Sequence, residues 1–407
     1  MEENQSKYFN ISRSGLMPKE EMLDVRTKSS SLVVGIPKEI CFYENRVAIV
    51  PEAVNMLVEN GYRVVIEENA GLGACFTDTE YAEAGGEIVG TAKEVFQQAD
   101  IIAKVSPLSM PEIEFVKKGQ TIISALHISA QTPEYFRKLS EKKVIALAFE
   151  FIRDSFNSFP LVRAVSEIAG NTSILLAAQY LADTSYGKGN MLGGFSGITP
   201  TEVVIIGSGT VGEFAARAAL GLGAMVKVFD NNLFKLRRLQ TSVNSRIFTS
   251  VIQPKVLLKS LRTAHVVIGA LRNHKGRTPI VVTEDMVRQM KKGAVIIDVS
   301  IDQGGCFETS RVTSHANPTF QAYGVTHYCV PNIAARVPHT ASYALCNYLG
   351  HTVLEICEYG GVENMIKQDN GLRKGVYLYK GALTNQVIGE MYNIPYQDID
   401  LITSSWL

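Results

Sequence analysis

A guanidinium, an imidazole and a carboxyl group are the side chains in this 407-residue sequence that could act together on one small molecule. Arg46 lies in the run Glu44-Asn-Arg-Val-Ala-Ile-Val-Pro51, which reads as a loop after the first strand. Ligands bind beyond the carboxyl ends of parallel strands, and a guanidinium grips a carboxylate through two parallel hydrogen bonds. A plain surface arginine is the competing reading. His127 follows the apolar run 121–126, and a histidine at a strand's carboxyl end can shuttle a proton near neutral pH. By itself it also fits a hydrogen-bonded structural role. Asp302 lies in Asp298-Val-Ser-Ile-Asp-Gln-Gly-Gly-Cys-Phe-Glu308. An acid followed by Gly304-Gly305 at a strand end predicts a turn that faces a cleft. Asp298, inside the strand, reads as an internal hydrogen-bond acceptor.

A second pattern accounts for a cofactor. Val203-Val-Ile-Ile-Gly-Ser-Gly-Thr-Val-Gly212 joins a β-branched strand to a glycine-rich turn and then a helix. Gly207, Gly209 and Gly212 occupy the three glycine positions of a dinucleotide fingerprint, with Thr210 and Val211 between them. Backbone N–H groups can approach a pyrophosphate there, and the helix N-terminus adds positive potential. The next strand, 225–229, ends at Asp230, where an acid accepts hydrogen bonds from ribose hydroxyls. Asn231 and Asn232 follow, with no cation before Lys235. A free 2′-hydroxyl suits that carboxylate and a 2′-phosphate does not, so NAD is expected rather than NADP.

These groups need elements to position them. Short strands are expected at 32–36, 63–66, 101–105, 121–126 and 144–148, with helices between them such as 52–59 behind Pro51. Downstream of the fingerprint, strands are expected at 265–268, 294–299 and near 327–330. Such alternation predicts an α/β fold of two doubly wound parallel-sheet, Rossmann-like domains with an interdomain cleft. Long helices at 165–183 and 339–359 would join the lobes, the first carrying small residues at Ala169, Gly170, Ser173 and Ala177. The expected division is a flexible arm or docking element over 1–31 and a catalytic domain built from 32–160 and 336–407. The nucleotide domain would span 161–335.

Composition narrows the partners. The formal net charge is zero and charged residues make up 20% of the chain, which argues against a nucleic-acid surface. No apolar run reads as a membrane span, and the polar first 31 residues lack the apolar core of a secretory signal. The six cysteines include no C-x-x-C pair and read as buried reduced thiols of a cytoplasmic protein. No metal-ligand cluster is evident.

The segments quoted above resemble the alanine dehydrogenase family. So do Met191-Leu-Gly-Gly-Phe-Ser-Gly-Ile-Thr-Pro200, Tyr328-Cys-Val-Pro-Asn332 and Thr340-Ala-Ser-Tyr-Ala-Leu-Cys-Asn347. The resemblance runs from about Leu32 to Gly381-Ala-Leu-Thr, and the Ile-Asp-Gln-Gly-Gly-Cys-Phe-Glu run is its most specific part. It implies reversible oxidative deamination of L-alanine by NAD, giving pyruvate, ammonium and NADH. Arg46 would hold the substrate carboxylate, His127 would exchange protons, and Asp302 would position water or ammonia. Asn332 would lie against the nicotinamide, and Ser166 would join the cofactor contacts. The resemblance also implies a homo-oligomer, possibly a hexamer.

Two positions depart from the family's pattern. Its Lys-Val-Lys run is here Lys104-Val105-Ser106, so one substrate cation is absent, and Lys104 is expected to reach toward the same cleft. The family's apolar-Pro-Gly loop after Leu271 is here Arg272-Asn-His-Lys-Gly-Arg277, read as a solvated surface loop or as altered ligand contacts. Two further readings therefore stay open. One is a dehydrogenase for another small amino or imino acid. The other is a nucleotide-binding subunit like that of transhydrogenase, which lacks the histidine matching His127.

Overall fold

The structure, a computed structural model, describes residues 32–41, 44–273 and 276–404. The expected arm over 1–31 lies outside the described residues, as do His274 and Lys275 of the cationic run. Residues Leu32–Leu407 form one compact unit containing two sheets.

The first sheet is built from β1 (Val33–Ile36), β2 (Arg63–Glu67), β3 (Glu87–Val89), β4 (Ile101–Ala103), β5 (Thr121–Ser124) and β6 (Ile145–Ala148). The second contains β7 (Glu202–Ile206), β8 (Met225–Phe229), β9 (Phe248–Ser250), β10 (Val266–Gly269), β11 (Val295–Asp298), β12 (Thr319–Ala322) and β13 (Val325–Tyr328). Two late strands, β14 (Val376–Tyr379) and β15 (Ala382–Leu383), return to the first sheet. Its order is β15-β14-β6-β5-β4-β1-β2-β3, and the second runs β12-β13-β11-β10-β7-β8-β9. In both, strand order reverses beside the first strand of the sheet, between β1 and β4 and between β7 and β10. Ligands bind at such switch points, off the strands' carboxyl ends.

The doubly wound expectation holds, with one correction at the edges. β12, β14 and β15 pair antiparallel to their neighbours. β12 and β13 are linked by the short turn at Tyr323 and Gly324, both at positive φ, and a hairpin turn permits only antiparallel pairing. The central strands are buried on both faces, which is why they read as unbroken Val/Ile runs. Each fully buried Val or Ile contributes about 1.5–3 kcal/mol.

Proline starts several helices where its missing N–H leaves nothing unpaired, at Pro51, Pro160, Pro254 and Pro338. Capping boxes start others, as at Ser109 with Glu112. The helix Pro160–Ala182 packs closely on Thr210–Gly221: a Cβ on Gly170 would fall 2.5 Å from the Val211 carbonyl oxygen. By length and composition that long helix meets the minimum for a membrane span, contrary to the sequence expectation. Here it serves as a packing helix, with Ile174, Ala177 and Leu181 fully buried.

Candidate active site

Arg46 projects from the loop that leaves β1, and residues distant in sequence hold that loop from several sides. Val47 N donates to Ser342 Oγ at 2.9 Å, and Tyr81 Oη donates to the Ile49 carbonyl at 2.9 Å. Arg46 itself is buried and forked onto a neighbour. Its Nε donates to Glu44 Oε1 at 2.7 Å and its Nη2 to Glu44 Oε2 at 2.5 Å. Burial alone would raise the Glu44 carboxyl. The hydrogen bonds and charge of Arg46, with Asn332, outweigh it and hold the group below its ordinary value.

Asn332 comes from the far end of the second sheet, just after β13. Its backbone is left-handed, with φ 54°, and asparagine tolerates that conformation better than most residues. Its Nδ2 donates to Glu44 Oε2 at 3.0 Å, and its backbone N–H donates to Asp302 Oδ1 at 2.7 Å. One residue therefore touches the Arg46 fork and the Asp302 carboxyl together.

Asp302 sits on the short helical turn Val299–Gln303 that follows β11. It is open to solvent, yet enough protein surrounds its carboxyl that lost hydration raises it above the usual carboxylate value. The Asn332 N–H and the positive charges of His127, Arg46 and Arg272 act in the opposite direction. Asp298 is the internal acceptor expected of it. It takes Ser300 N at 3.1 Å, Cys306 N at 3.1 Å and Ser310 Oγ at 2.7 Å, shaping the turn that carries Asp302.

His127 follows β5, exposed and also in left-handed backbone with φ 49°. Non-glycine residues at positive φ cluster at functional sites, where the surroundings over-determine them. Here the surroundings include Glu150, whose Oε1 accepts from Leu126 N at 2.8 Å and His127 N at 3.1 Å.

Lys104 is placed differently from the expectation that it reaches a substrate. Its side chain is fully enclosed, with Nζ 2.5 Å from Glu112 Oε1 and 3.7 Å from Glu39 Oε2. An ammonium without water needs such partners, so its charge is committed inside the fold. It does not replace the cation missing at Ser106. Glu39 also accepts from Val105 N at 2.6 Å and Ser106 N at 3.2 Å, pinning the backbone after β4. Burial raises the Glu39 carboxyl to about 7, against the lowering influence of Lys104.

The glycine turn divides its three jobs as a dinucleotide cradle requires. A Cβ on Gly207 (φ 112°) would fall 2.4 Å from the Ala270 carbonyl oxygen, and one on Gly212 would fall 1.9 Å from that of Gly207. A Cβ on Gly209 would meet nothing within 4 Å, so this glycine borders open space at the N-terminus of Thr210–Gly221. Tight packing at the outer two and room at the middle one fit a pyrophosphate. Asp230 closes the cradle from the end of β8. It accepts from Ser208 N at 2.7 Å, Ser208 Oγ at 2.9 Å and Asn232 N at 2.8 Å. Ser166 lies on Pro160–Ala182, half-buried and one turn before the Gly170 contact with Val211.

Glu44, Glu39, Glu112 and Glu150 were not singled out from sequence. Glu44 had a visible signal two residues before Arg46. The others act on residues distant in sequence or through backbone amides, which single-sequence patterns do not reveal.

The family model described as "Alanine dehydrogenase/PNT, N-terminal domain" matches residues 35–169, and "Alanine dehydrogenase/PNT, C-terminal domain" matches 173–386. The chain is 40% identical over 366 residues to an alanine dehydrogenase of Methanococcus maripaludis, covering 90% of this chain and 98% of that one. It is 38% identical over 367 residues to one of Mycolicibacterium smegmatis, covering 90% and 98%. A solved L-alanine dehydrogenase superposes with TM-score 0.84 at 36% identity, over 89% of this chain and 99% of the other. A transhydrogenase from Sinorhizobium meliloti shares the fold, with TM-score 0.74 at 23% identity, over 87% and 99%.

Proposed function

This chain belongs to the alanine dehydrogenase/PNT family, and on that premise we propose that it oxidatively deaminates L-alanine with NAD. The balanced reaction takes L-alanine, NAD⁺ and water to pyruvate, ammonium, NADH and a proton, and runs in both directions. In this reading 32–160 with 336–407 form the substrate domain that carries Arg46 and His127, and 161–335 form the nucleotide domain, which also contributes Asp302 and Asn332.

The residues suited to the cofactor are Gly207, Gly209, Thr210, Val211 and Gly212 at the pyrophosphate, with Ser166 beside them. Asp230 suits the ribose, and its carboxylate with no cation next to it favours NAD over NADP. When bound, the nicotinamide supplies the hydride acceptor.

The chain's own groups divide the remaining work. Arg46, held rigid by Glu44, presents guanidinium edge to the substrate carboxylate. His127 takes and returns a proton at a ring nitrogen as amine becomes imine and then carbonyl. Asp302, with its carboxyl raised, holds the attacking water or the departing ammonia and passes protons to it. Asn332 keeps Asp302 and the Arg46 fork in one frame.

The observation that carries this reading is the Asn332 link, with the charges of Arg46 and His127 both acting on Asp302. A second reading, a dehydrogenase for another small amino acid, is favoured by uncharged Ser106 with Lys104 enclosed. NADH formation from a panel of L-amino acids, and NADH consumption with pyruvate and ammonium, separates the two. Turnover of alanine above all others supports the first reading. Turnover confined to another amino acid supports the second.

A further inference from the structure

Arg272 stands three residues beyond the end of β10, which ends at Gly269. β10 and β7 flank the switch point of the second sheet, so Arg272 emerges beside the glycine turn. Gly207 lies so close to Ala270 that no Cβ would fit between them. On its other side the same segment is clamped to the turn that carries Asp302. Asn273 N donates to Gln303 Oε1 at 2.9 Å, and Gln303 Nε2 donates back to the Asn273 carbonyl at 3.0 Å. Thr278 N donates to the Gln303 carbonyl at 2.9 Å, and the Arg277 side chain lies over Gly304. These contacts fix the Arg272 backbone between the pyrophosphate cradle and Asp302.

The Arg272 guanidinium is exposed and has no hydrogen-bond or ion-pair partner among the described residues. Its charge reaches Asp302 together with those of Arg46 and His127. Nearby charges leave a vacancy of sign. Arg46 is offset by Glu44, Lys104 is enclosed by Glu112 and Glu39, and Ser106 is neutral. A carboxylate arriving between Arg46 and Asp302 therefore meets, from the first sheet's loops, the outer edge of Arg46 and the His127 imidazole, with no free lysine and no second guanidinium. Arg336, another exposed guanidinium, places its charge on His315, Tyr180 and Tyr328 instead.

We propose that Arg272 binds the substrate's carboxylate from the nucleotide side, supplying a second cation beside Arg46 where Ser106 offers none. This rests on the dehydrogenase reading above and names a specificity-determining residue for it. The other anion within its range is a cofactor phosphate, and the test separates the two.

The experiment uses the full chain as wild type, Arg272→Met and Arg272→Lys. It reads KM and kcat with L-alanine, the Kd of NADH by its fluorescence, and the Kd of pyruvate for the NADH complex. The expected result for Arg272→Met is a rise of about tenfold or more in the alanine KM and the pyruvate Kd, the loss of one charge-assisted contact. NADH affinity should stay within about twofold, and Arg272→Lys should recover part of the loss. Unchanged alanine and pyruvate values would overturn the inference. So would a tenfold loss of NADH affinity with the alanine KM unmoved, which assigns Arg272 to a cofactor phosphate. A wild-type protein that neither binds pyruvate nor turns over any amino acid overturns the dehydrogenase reading and this inference with it. Wild-type turnover with an indifferent Arg272→Met overturns the inference alone.

Discussion

Asn332 and Glu44 come from loops that follow strands of different sheets, 288 residues apart, and are joined by a 3.0 Å hydrogen bond from Nδ2 to Oε2. Through it, the residue that holds Asp302 also braces the carboxylate that holds Arg46. The two halves of the candidate site are thus referenced to one side chain rather than positioned separately.

Replacing Asn332 tests that reference. Asn332→Asp keeps a residue that tolerates left-handed backbone but sets a second carboxylate against Glu44. Its kcat/KM for alanine should fall by about tenfold or more, and the like-charge contact should lower the melting temperature. Asn332→Ala should lose similar activity and in addition about 1–2 kcal/mol from backbone conformation. Activity retained in both variants would show that the link is incidental.

Arg46→Lys should raise the alanine KM by about tenfold or more. A lysine carries the charge but cannot hold Glu44 and a carboxylate through a planar fork. Steady-state kinetics at saturating NAD reads this directly. An unchanged KM would remove Arg46 from the substrate site.

The glycines offer a contrast between space and packing. Gly209→Ala adds a Cβ that meets no protein atom, so stability should hold while NADH affinity drops by about tenfold or more. Gly212→Ala sets its Cβ 1.9 Å from the Gly207 carbonyl oxygen, so the turn must distort and both thermal stability and NADH binding should suffer. Equal effects from the two substitutions, by calorimetry and fluorescence titration, would contradict the division of roles.

Much of this architecture was legible from sequence because central strands and long helices carry strong periodic signals. Residues 225–229 and the helix behind Pro51 emerge where expected. β3, β9 and β15 did not, since two or three residues show no period. β14, Val-Tyr-Leu-Tyr, carries a strand-forming run whose pairing with β6, more than 200 residues upstream, no local pattern shows. At the site, Arg46, His127 and Asp302 stood out by type and position at strand ends. Lys104 misled because alternation tells which face a strand residue shares, not whether a carboxylate waits there. Its partner Glu112 lies eight residues on, in the capping box begun by Ser109.

Glu39 predicts a pH dependence of stability. Burial raises its carboxyl from 4.5 to about 7, so the folded state keeps a proton that the unfolded chain has released. The stabilisation is complete below about pH 4.5 and is lost as pH rises through 7. Glu39→Gln retains an acceptor for Val105 N, gives up the one for Ser106 N, and cannot ionise. Denaturant unfolding from pH 4.5 to 8 should show wild type losing stability relative to the variant across that window. Parallel curves would mean that Glu39 does not titrate there.

The most direct test of the catalytic account is NADH formation from L-alanine at saturating NAD, in wild type and His127→Ala. The account predicts alanine-dependent NADH production by wild type. It predicts a fall in kcat of about 100-fold or more in the variant, the scale of a lost general acid–base, with NADH affinity preserved. A variant that keeps the wild-type rate, or a wild type that binds NADH yet oxidises no amino acid, would contradict it.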